Sequence, residues 1–356
     1  MKIMFTGGGT AGHVWPIVSI SQELNKEGIE YLYVGSSDGL EVDISKNYKI
    51  PFKGIFVGKF RNYFSLQNIV DPFKILIGLV QAFFIVISYQ PDVVFSKGGY
   101  VSFPVLFWAK ILKIPVVAHE SDSVLGRATL WAAKFARKIC LGFAREYCDF
   151  SNLDIDDSKY KNKFEYTGIP IRKEFSQVVK QKFDRPVILI TGGSQGSFKI
   201  NQIIEEIMTN VLEKFEVFHI VGQTDFTRFS KIKDTHYHVY DFTSDIAQIM
   251  MNADLIVSRA GSTLAEISYL GKPSIIIPYT FASMDHQVAN AKIYKNNRAA
   301  EIVPENHLTG EILLGIINRL MLDKDYCELL GKNAKIFSQH DASKRVVKIL
   351  LENKKK

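Results

Sequence analysis

A short apolar run that breaks into Thr-Gly-Gly occurs twice in this chain, and the duplication constrains the fold more than any other feature. The first copy is Lys2-Ile3-Met4-Phe5-Thr6-Gly7-Gly8-Gly9-Thr10-Ala11-Gly12-His13 and the second is Val187-Ile188-Leu189-Ile190-Thr191-Gly192-Gly193-Ser194-Gln195-Gly196. Each run suits a strand of a parallel sheet buried on both faces. The glycines permit positive φ and close backbone approach. The helix start that follows offers unpaired N–H groups and the positive end of a dipole, which suits a phosphate. One such loop serves equally well as a tight strand-to-helix turn, but its repetition predicts two similar halves. The first copy reads GGGTAG rather than G-x-G-x-x-G with an acidic residue after the second strand, which argues against a nicotinamide or flavin enzyme.

A chain of 356 residues suits two domains of roughly 150 to 200 residues each. The pattern loosens into polar sequence between about Cys148 and Arg172 (Asp154, Asp156, Asp157, Lys159, Lys161, Lys163) and closes with Tyr166-Thr167-Gly168-Ile169-Pro170-Ile171-Arg172. The expected division is 1–160, 161–340 and a last helix, 341–356, returning to the first domain. The net charge of +7 suits an anionic substrate or anionic lipid. No basic stripe with interleaved aromatics is present, so nucleic acid is not an expected partner. Cys140, Cys148 and Cys327 lack CxxC spacing, so neither a zinc site nor a disulfide framework is indicated and a reducing, cytoplasmic setting is expected. The first residues are expected to form a strand and a glycine loop, so no export signal is expected. The most apolar run, Ile75 to Ser88, is shorter than the ~20 residues of a spanning helix and is expected to be buried or to rest on a membrane face.

Strands and helices alternate along the chain. Helical spacing from His13 to Asn25 precedes a strand at Tyr31–Val34, a short helix at Leu40–Lys46 and a strand at Phe52–Val57. A long apolar helix (Leu66–Tyr89) and a strand (Asp92–Phe95) lead to Lys97-Gly98-Gly99-Tyr100. A strand at Ile114–Ala118 leads to His119-Glu120-Ser121-Asp122. The second half repeats the theme, with Arg259-Ala260-Gly261-Ser262-Thr263-Leu264-Ala265-Glu266 and Asp285-His286-Gln287 each following a strand. Such alternation means α/β, doubly wound parallel sheets, whose ligands collect at the carboxyl ends of the strands. The loops at Gly7–His13, Lys97–Tyr100 and His119–Asp122 share that edge.

These motifs, GGGTAGH, KGGYVSFP, HESD, TGIPIR, GGSQGS, SRAGSTLAEI and the DHQ and NA box at 285–291, run in order over nearly the whole chain. Together they resemble the peptidoglycan N-acetylglucosaminyltransferase family, enzymes of the GT-B fold with two Rossmann-like doubly wound domains facing a cleft. The resemblance implies inverting transfer of GlcNAc from UDP-GlcNAc to C4 of the MurNAc of lipid I, giving lipid II. It also implies that the donor lies in the second domain: Ser194 and neighbouring amides on the phosphates, Glu266 on the ribose, the loop around Thr243 on the uracil, Gln287 on the sugar, and Arg172 close by. Thr10, Ala11 and Gly12 would approach donor and acceptor diphosphate at the reacting centre, with Gly9, Tyr100 and Glu120 on the acceptor side and His13 as general base. Asp122 is the next candidate base. Two departures stand out. HESD replaces the family's usual HEQN, so an amide becomes the carboxylate of Asp122, and the SRAG box is one residue short before its glutamate.

Each of these residues also has a plainer reading. His13 serves as a cap or packing residue at its helix start, although a neutral imidazole also suits proton abstraction near neutrality. Glu266 reads as a solvated helical residue or a ribose ligand, Arg172 as a linker ion pair or a partner of the leaving diphosphate. His119 and Glu120 read as loop-ordering residues, Tyr100 as a packing aromatic. No Asp-x-Asp cluster sits at a strand end, so no catalytic metal or cofactor is expected, with helix amino termini and Arg172 stabilising the departing UDP. The competing functions are a UDP-GlcNAc epimerase of similar architecture and a non-catalytic nucleotide-sugar sensor at the membrane.

The lipid acceptor implies peripheral attachment to the cytoplasmic face of the inner membrane. Ile75, Leu76, Leu79, Phe83 and Phe84, with Phe107, Trp108 and Leu112, recur at helical spacing near Lys59, Arg61, Lys74, Lys110 and Lys113. Apolar residues flanked by cations suit an anionic bilayer surface.

Overall fold

Two parallel sheets carry the chain. The computed structural model describes residues 1–58, 67–151, 153, 160, 162–280 and 285–355, with backbone alone at 67–70. The chain divides into a first unit, Met1–Arg172 with Gln339–Lys356, and a second unit, Lys173–Ser338. Lys59 and Arg61 lie outside the described residues, as do Asp154, Asp156, Asp157, Lys159 and Lys161.

In the first unit β1 (Lys2–Gly7), β2 (Glu30–Ser36), β3 (Phe52–Ile55), β4 (Val93–Gly98), β5 (Val116–Glu120), β6 (Lys138–Leu141) and β7 (Phe164–Tyr166) form a sheet of order β3-β2-β1-β4-β5-β6-β7, with parallel pairings. The helices are α1 (Ala11–Lys26), α2 (Leu40–Asn47), α3 (Gln67–Tyr89), α4 (Phe103–Ile111) and α5 (Arg127–Ala133). Successive side chains of a strand point to opposite faces. On β1, Ile3 and Phe5 join one apolar layer with Tyr33, Phe95 and Ile17 of α1, whereas Met4 joins another with Val34, Val94 and Val105 of α4. Both faces are covered, which is why β1 reads as a continuous apolar run.

The second unit contains β8 (Val187–Thr191), β9 (Glu216–Ile220), β10 (Tyr237–Tyr240), β11 (Leu255–Ser258), β12 (Ser274–Ile276) and β13 (Glu301–Ile302), ordered β10-β9-β8-β11-β12-β13 and also parallel. Its helices are α6 (Phe198–Leu212), α7 (Gln223–Phe229), α8 (Ile246–Asn252), α9 (Thr263–Leu270), α10 (His286–Asn296), α11 (Gly310–Leu322) and α12 (Lys324–Ala334). Ser197 caps α6 by accepting from the Ile200 amide, and Ile200, Ile203, Ile204, Ile207 and Val211 bury one helical stripe against the sheet. The last helix, α13 (Ala342–Glu352), belongs to the first unit. There Val346, Val347, Ile349 and Leu350 enter the α1 layer and the Ser343 hydroxyl lies 2.6 Å from that of Ser19.

Each sheet has one point where the strand order reverses, between β1 and β4 in the first unit and between β8 and β11 in the second. The carboxyl edge at such a point is where ligands of doubly wound sheets bind. Both Thr-Gly-Gly loops leave from it.

α3 corrects the reading of the apolar run as too short to span a bilayer. The continuous helix has 23 residues, and Asp71–Tyr89 is long and apolar enough to cross a membrane by length and composition. Gly78, Ala82 and Val86 are buried. A Cβ on Gly78 would stand 1.9 Å from the Phe56 carbonyl oxygen, so the helix backbone lies directly on the chain leaving β3. Gln81 accepts from the Phe56 amide at 2.8 Å, and Trp108 of α4 donates to the Leu79 carbonyl at 2.7 Å. The outer face exposes Phe73, Leu76, Ile77, Val80, Phe84 and Ile87. Phe84 is 65% exposed, whereas Phe83 packs at a tilt on Trp108 with ring centroids 4.6 Å apart. Trp108 is therefore a packing residue, while Ile111 and Leu112 at the end of α4 are exposed.

Candidate functional site

At the first unit's switch point two glycine loops interlock. The ladder between β1 and β4 slips at Thr6/Gly7, and Gly7 pairs with Gly98. Gly99 has φ +78°, and a Cβ there would stand 2.6 Å from the Gly8 carbonyl oxygen and 3.4 Å from His13 Nδ1. Gly9 has φ +83°, and a Cβ on it would meet the Tyr100 ring at 2.6 Å. Only glycine fits either position without moving its neighbour. Thr10 is the N-cap of α1, and its Oγ1 lies 2.9 Å from His13 Nδ1. When Nδ1–H donates to Thr10, Nε2 keeps a lone pair that accepts a proton. Gly9, Thr10, Ala11, Gly12, His13 and Tyr100 are thus brought together.

The neighbouring loop after β5 is organised by Glu120. Its Oε1 accepts from the Ser121 and Asp122 amides at 3.0 and 3.2 Å, and its Oε2 accepts from the Gly126 amide at 2.9 Å and Thr129 Oγ1 at 2.7 Å. This favours the loop-ordering reading of Glu120. Asp122 stands half-exposed in the loop so held. Lys97, buried at the end of β4, is the cation of this neighbourhood. Burial pushes its ammonium down and the Glu120 carboxyl up, while the mutual attraction of the two works the other way. His119 is held at about 3 by burial and by the charge of Lys97, and its Nε2 lies 2.9 Å from the Gly168 carbonyl oxygen. Arg172 is not a solvated linker residue. It is 3% exposed, and its guanidinium stacks 4.0 Å over the Trp15 ring.

In the second unit the loop after β8 folds back on the start of α6. The Gly193 amide donates to Thr191 Oγ1 at 3.1 Å and the Gly196 amide to the Gly193 carbonyl at 3.0 Å, leaving Ser194 exposed at the tip. The loops after β11 and β12 lie alongside. Gln287 Oε1 accepts from the Tyr279 amide at 2.9 Å, and its Nε2 is 3.9 Å from where a Cβ on Gly261 would stand. Asn290 donates to the Ala260 carbonyl at 3.1 Å. Glu266 occupies the first turn of α9, half-buried. Thr243 follows β10, the far strand of the sheet, and accepts from the Asp245 amide at 3.1 Å.

Three residues of this architecture were given no part by sequence reasoning. Arg259 Nη2 donates to Ser197 Oγ at 2.6 Å and to Glu305 Oε1 at 2.5 Å, and Nη1 donates to the Ile277 carbonyl at 3.2 Å. It ties the cap of α6 to the loops after β11 and β12. Its place inside the SRAG motif was the available signal. Lys97 likewise stands inside KGGY. Glu41, which contacts the first glycine loop, lies in no motif.

A nucleotide-type loop at the switch point of each of two parallel sheets defines a two-unit fold of the GT-B type. The profile of the glycosyltransferase family 28 N-terminal domain matches residues 3–141 and that of the family 28 C-terminal domain matches residues 187–346, so the chain belongs to glycosyltransferase family 28. It is similar to the "UDP-N-acetylglucosamine--N-acetylmuramyl-(pentapeptide) pyrophosphoryl-undecaprenol N-acetylglucosamine transferase" of Legionella pneumophila (strain Paris), with 36% identity over 98% of this chain and 96% of that one. The crystal structure of Acinetobacter baumannii MurG superposes with a TM-score of 0.73 at 26% identity, covering 99% of each chain. The UDP-GlcNAc 2-epimerase from Neisseria meningitidis, bound to UDP-GlcNAc, shares the fold, with a TM-score of 0.66 at 18% identity over 99% of this chain and 100% of that one.

Proposed function

We propose that this chain transfers GlcNAc from UDP-GlcNAc to C4 of MurNAc in undecaprenyl-diphospho-MurNAc-pentapeptide (lipid I), with inversion, to give lipid II. The observation that carries this reading is the 36% identity, over nearly the whole of both chains, to a transferase named for that reaction. The epimerase is matched at 18% identity, in fold alone, so epimerisation is not favoured.

In this reading the acceptor C4 oxygen attacks the anomeric carbon as the bond from that carbon to the UDP oxygen breaks. His13 Nε2 takes the hydroxyl proton in the tautomer whose Nδ1–H donates to Thr10 Oγ1, 2.9 Å away. Asp122 is the alternative base. Gly9, Thr10, Ala11, Gly12 and Tyr100 line the acceptor side. The departing diphosphate gains from the amino terminus of α6 and the amides around Ser194. Glu266 takes the ribose hydroxyls, the backbone near Thr243 the uracil and Gln287 the sugar. The burial of Arg172 on Trp15 supports an indirect role, holding the Thr167–Arg172 segment in place.

The same reading puts the first unit on the cytoplasmic face of the inner membrane, peripherally. Its support is the exposed stripe Leu76, Val80, Phe84 and Ile87, the exposed Ile111 and Leu112, and Lys74, Lys110 and Lys113 on the same two helices and the turn after them. The inner stripe of α3 is engaged by Phe56 and Trp108, which supports lying on the bilayer rather than crossing it. The deciding experiment measures UDP release from UDP-GlcNAc with and without a lipid-linked MurNAc acceptor. Release that requires the acceptor, with formation of the disaccharide lipid, is expected. Interconversion of the free nucleotide sugar, or binding without turnover, overturns the reading.

A further inference from the structure

Glu41 lies in the first turn of α2, where sequence alone predicts a solvated carboxylate, yet it has no exposed surface. Three glycines make its cavity. A Cβ on Gly8 would stand 2.2 Å from Glu41 Oε1, one on Gly35 of β2 would stand 2.9 Å from its Cγ, and one on Gly39 would stand 2.4 Å from its Oε2. The Ser36 amide donates to Oε1 at 3.2 Å and the Gly9 amide attracts the same carboxyl, while Oε2 has no hydrogen-bond partner. Burial pushes the carboxyl above its ordinary range, against the pull of these amides. A carboxyl kept in so unfavourable a place does something that surface solvation does not.

We propose that Glu41 is a positioning residue for the loop Gly7–His13: by lying against Gly8 and attracting the Gly9 amide from inside the fold it fixes the loop, and with it the direction in which Thr10 and His13 face the acceptor. The loop has three consecutive glycines, Gly7, Gly8 and Gly9. Gly7 is anchored by Tyr33, whose hydroxyl donates to its carbonyl at 2.8 Å, and the Glu41 carboxyl lies against Gly8. The Tyr100 ring close to Gly9 and the His13 ring close to Gly99 then carry that register to the reacting groups. This inference rests on the transferase reading for the role of His13, but the brace itself does not.

The test compares two near-isosteres. Glu41→Gln keeps an oxygen for the Gly9 and Ser36 amides, and Glu41→Met does not. Exchange of the Gly9 amide with deuterium is expected to accelerate about tenfold or more in Glu41→Met and to stay near wild type in Glu41→Gln. Acceptor-dependent kcat is expected to fall about 100-fold in Glu41→Met, the effect of a small misplacement of a reacting group, with the KM for UDP-GlcNAc unchanged and with Glu41→Gln restoring turnover. Should Glu41→Met not fold, Gly39→Ala carries the test. Its φ of −91° admits alanine, yet the new methyl displaces the carboxyl, so the same exchange and kinetic losses are expected. Unchanged Gly9 exchange in these variants, or equal losses in Glu41→Gln and Glu41→Met, overturns the proposal. If wild type itself shows no acceptor-dependent turnover, the functional reading falls, and the exchange measurement still decides the brace.

Discussion

Replacing Arg259 with methionine removes the side chain that joins the cap of α6 to Glu305 and to the Ile277 carbonyl. The ion pair is mostly buried, with side-chain exposures of 10% for Arg259 and 14% for Glu305. Removing one partner of a buried pair costs about 3–5 kcal/mol, because the other charge is left desolvated and unmatched. The residual exposure puts this case near the lower figure. For a unit of this size that corresponds to roughly 6–12 °C in Tm. Adding Glu305→Gln removes the orphaned charge, so the double variant should regain ~1.5 kcal/mol or more of the loss. Calorimetry on wild type, both single variants and the double variant closes the cycle. UDP titration of each reports on the loop, and weaker UDP binding is expected wherever Ser197 loses Arg259. A Tm loss of under about 2 °C in Arg259→Met, or strictly additive single effects, refutes the reasoning.

Glu266→Ala should raise the KM for UDP-GlcNAc by about 10- to 100-fold, the loss of a charged hydrogen-bond partner worth ~1.5–3 kcal/mol; steady-state kinetics with saturating acceptor measures it. His13→Ala should lower kcat by ~100- to 10,000-fold with UDP affinity intact, and near-normal turnover moves the base to Asp122. In vesicle flotation, replacing Lys74, Leu76 and Phe84 with neutral polar residues should abolish the salt-sensitive binding to anionic lipid while leaving UDP affinity unchanged. His219, fully buried between Tyr237 and Asn201, is held at about 3 by desolvation. The unfolded chain therefore binds a proton that the folded one refuses between pH ~6.5 and about 3. Stability of the second unit should be full above that window and fall by ~1.4 kcal/mol per pH unit as pH drops through it. His219→Asn should flatten that slope in acid unfolding curves.

What local pattern can encode was legible. Buried parallel strands announce themselves as apolar runs, so β1 and β8 read directly. The glycine loops announce the switch points, because only glycine tolerates the φ and the approach seen at Gly9 and Gly99. Strands β7 and β13, at three and two residues, are too short to show a period and pass for loop. The burial of Glu41 was invisible for another reason. Its cavity is made by Gly8, Gly35 and Gly39, which only the assembled sheet brings around it. Trp108 was misread as membrane-facing because helical spacing gives a face but not the neighbour that covers it, here the Leu79 carbonyl. Arg259 sat inside a motif whose glutamate drew the attention, although the arginine makes the longer-range connections.

The return of α13 to the first unit has a consequence for how the protein is made. Val346, Val347, Ile349 and Leu350 complete an apolar layer begun by Ile3, Phe5 and Ile17, so that layer stays open until residues 346–350 have been translated. Lys173–Ser338 emerges in one piece and is free to fold while its predecessor waits. A nascent chain halted before Ala342 exposes the α1 face to chaperones. A gene fragment ending at Arg172 should give insoluble protein, whereas joining residues 339–355 to it through a flexible linker should restore a soluble first unit.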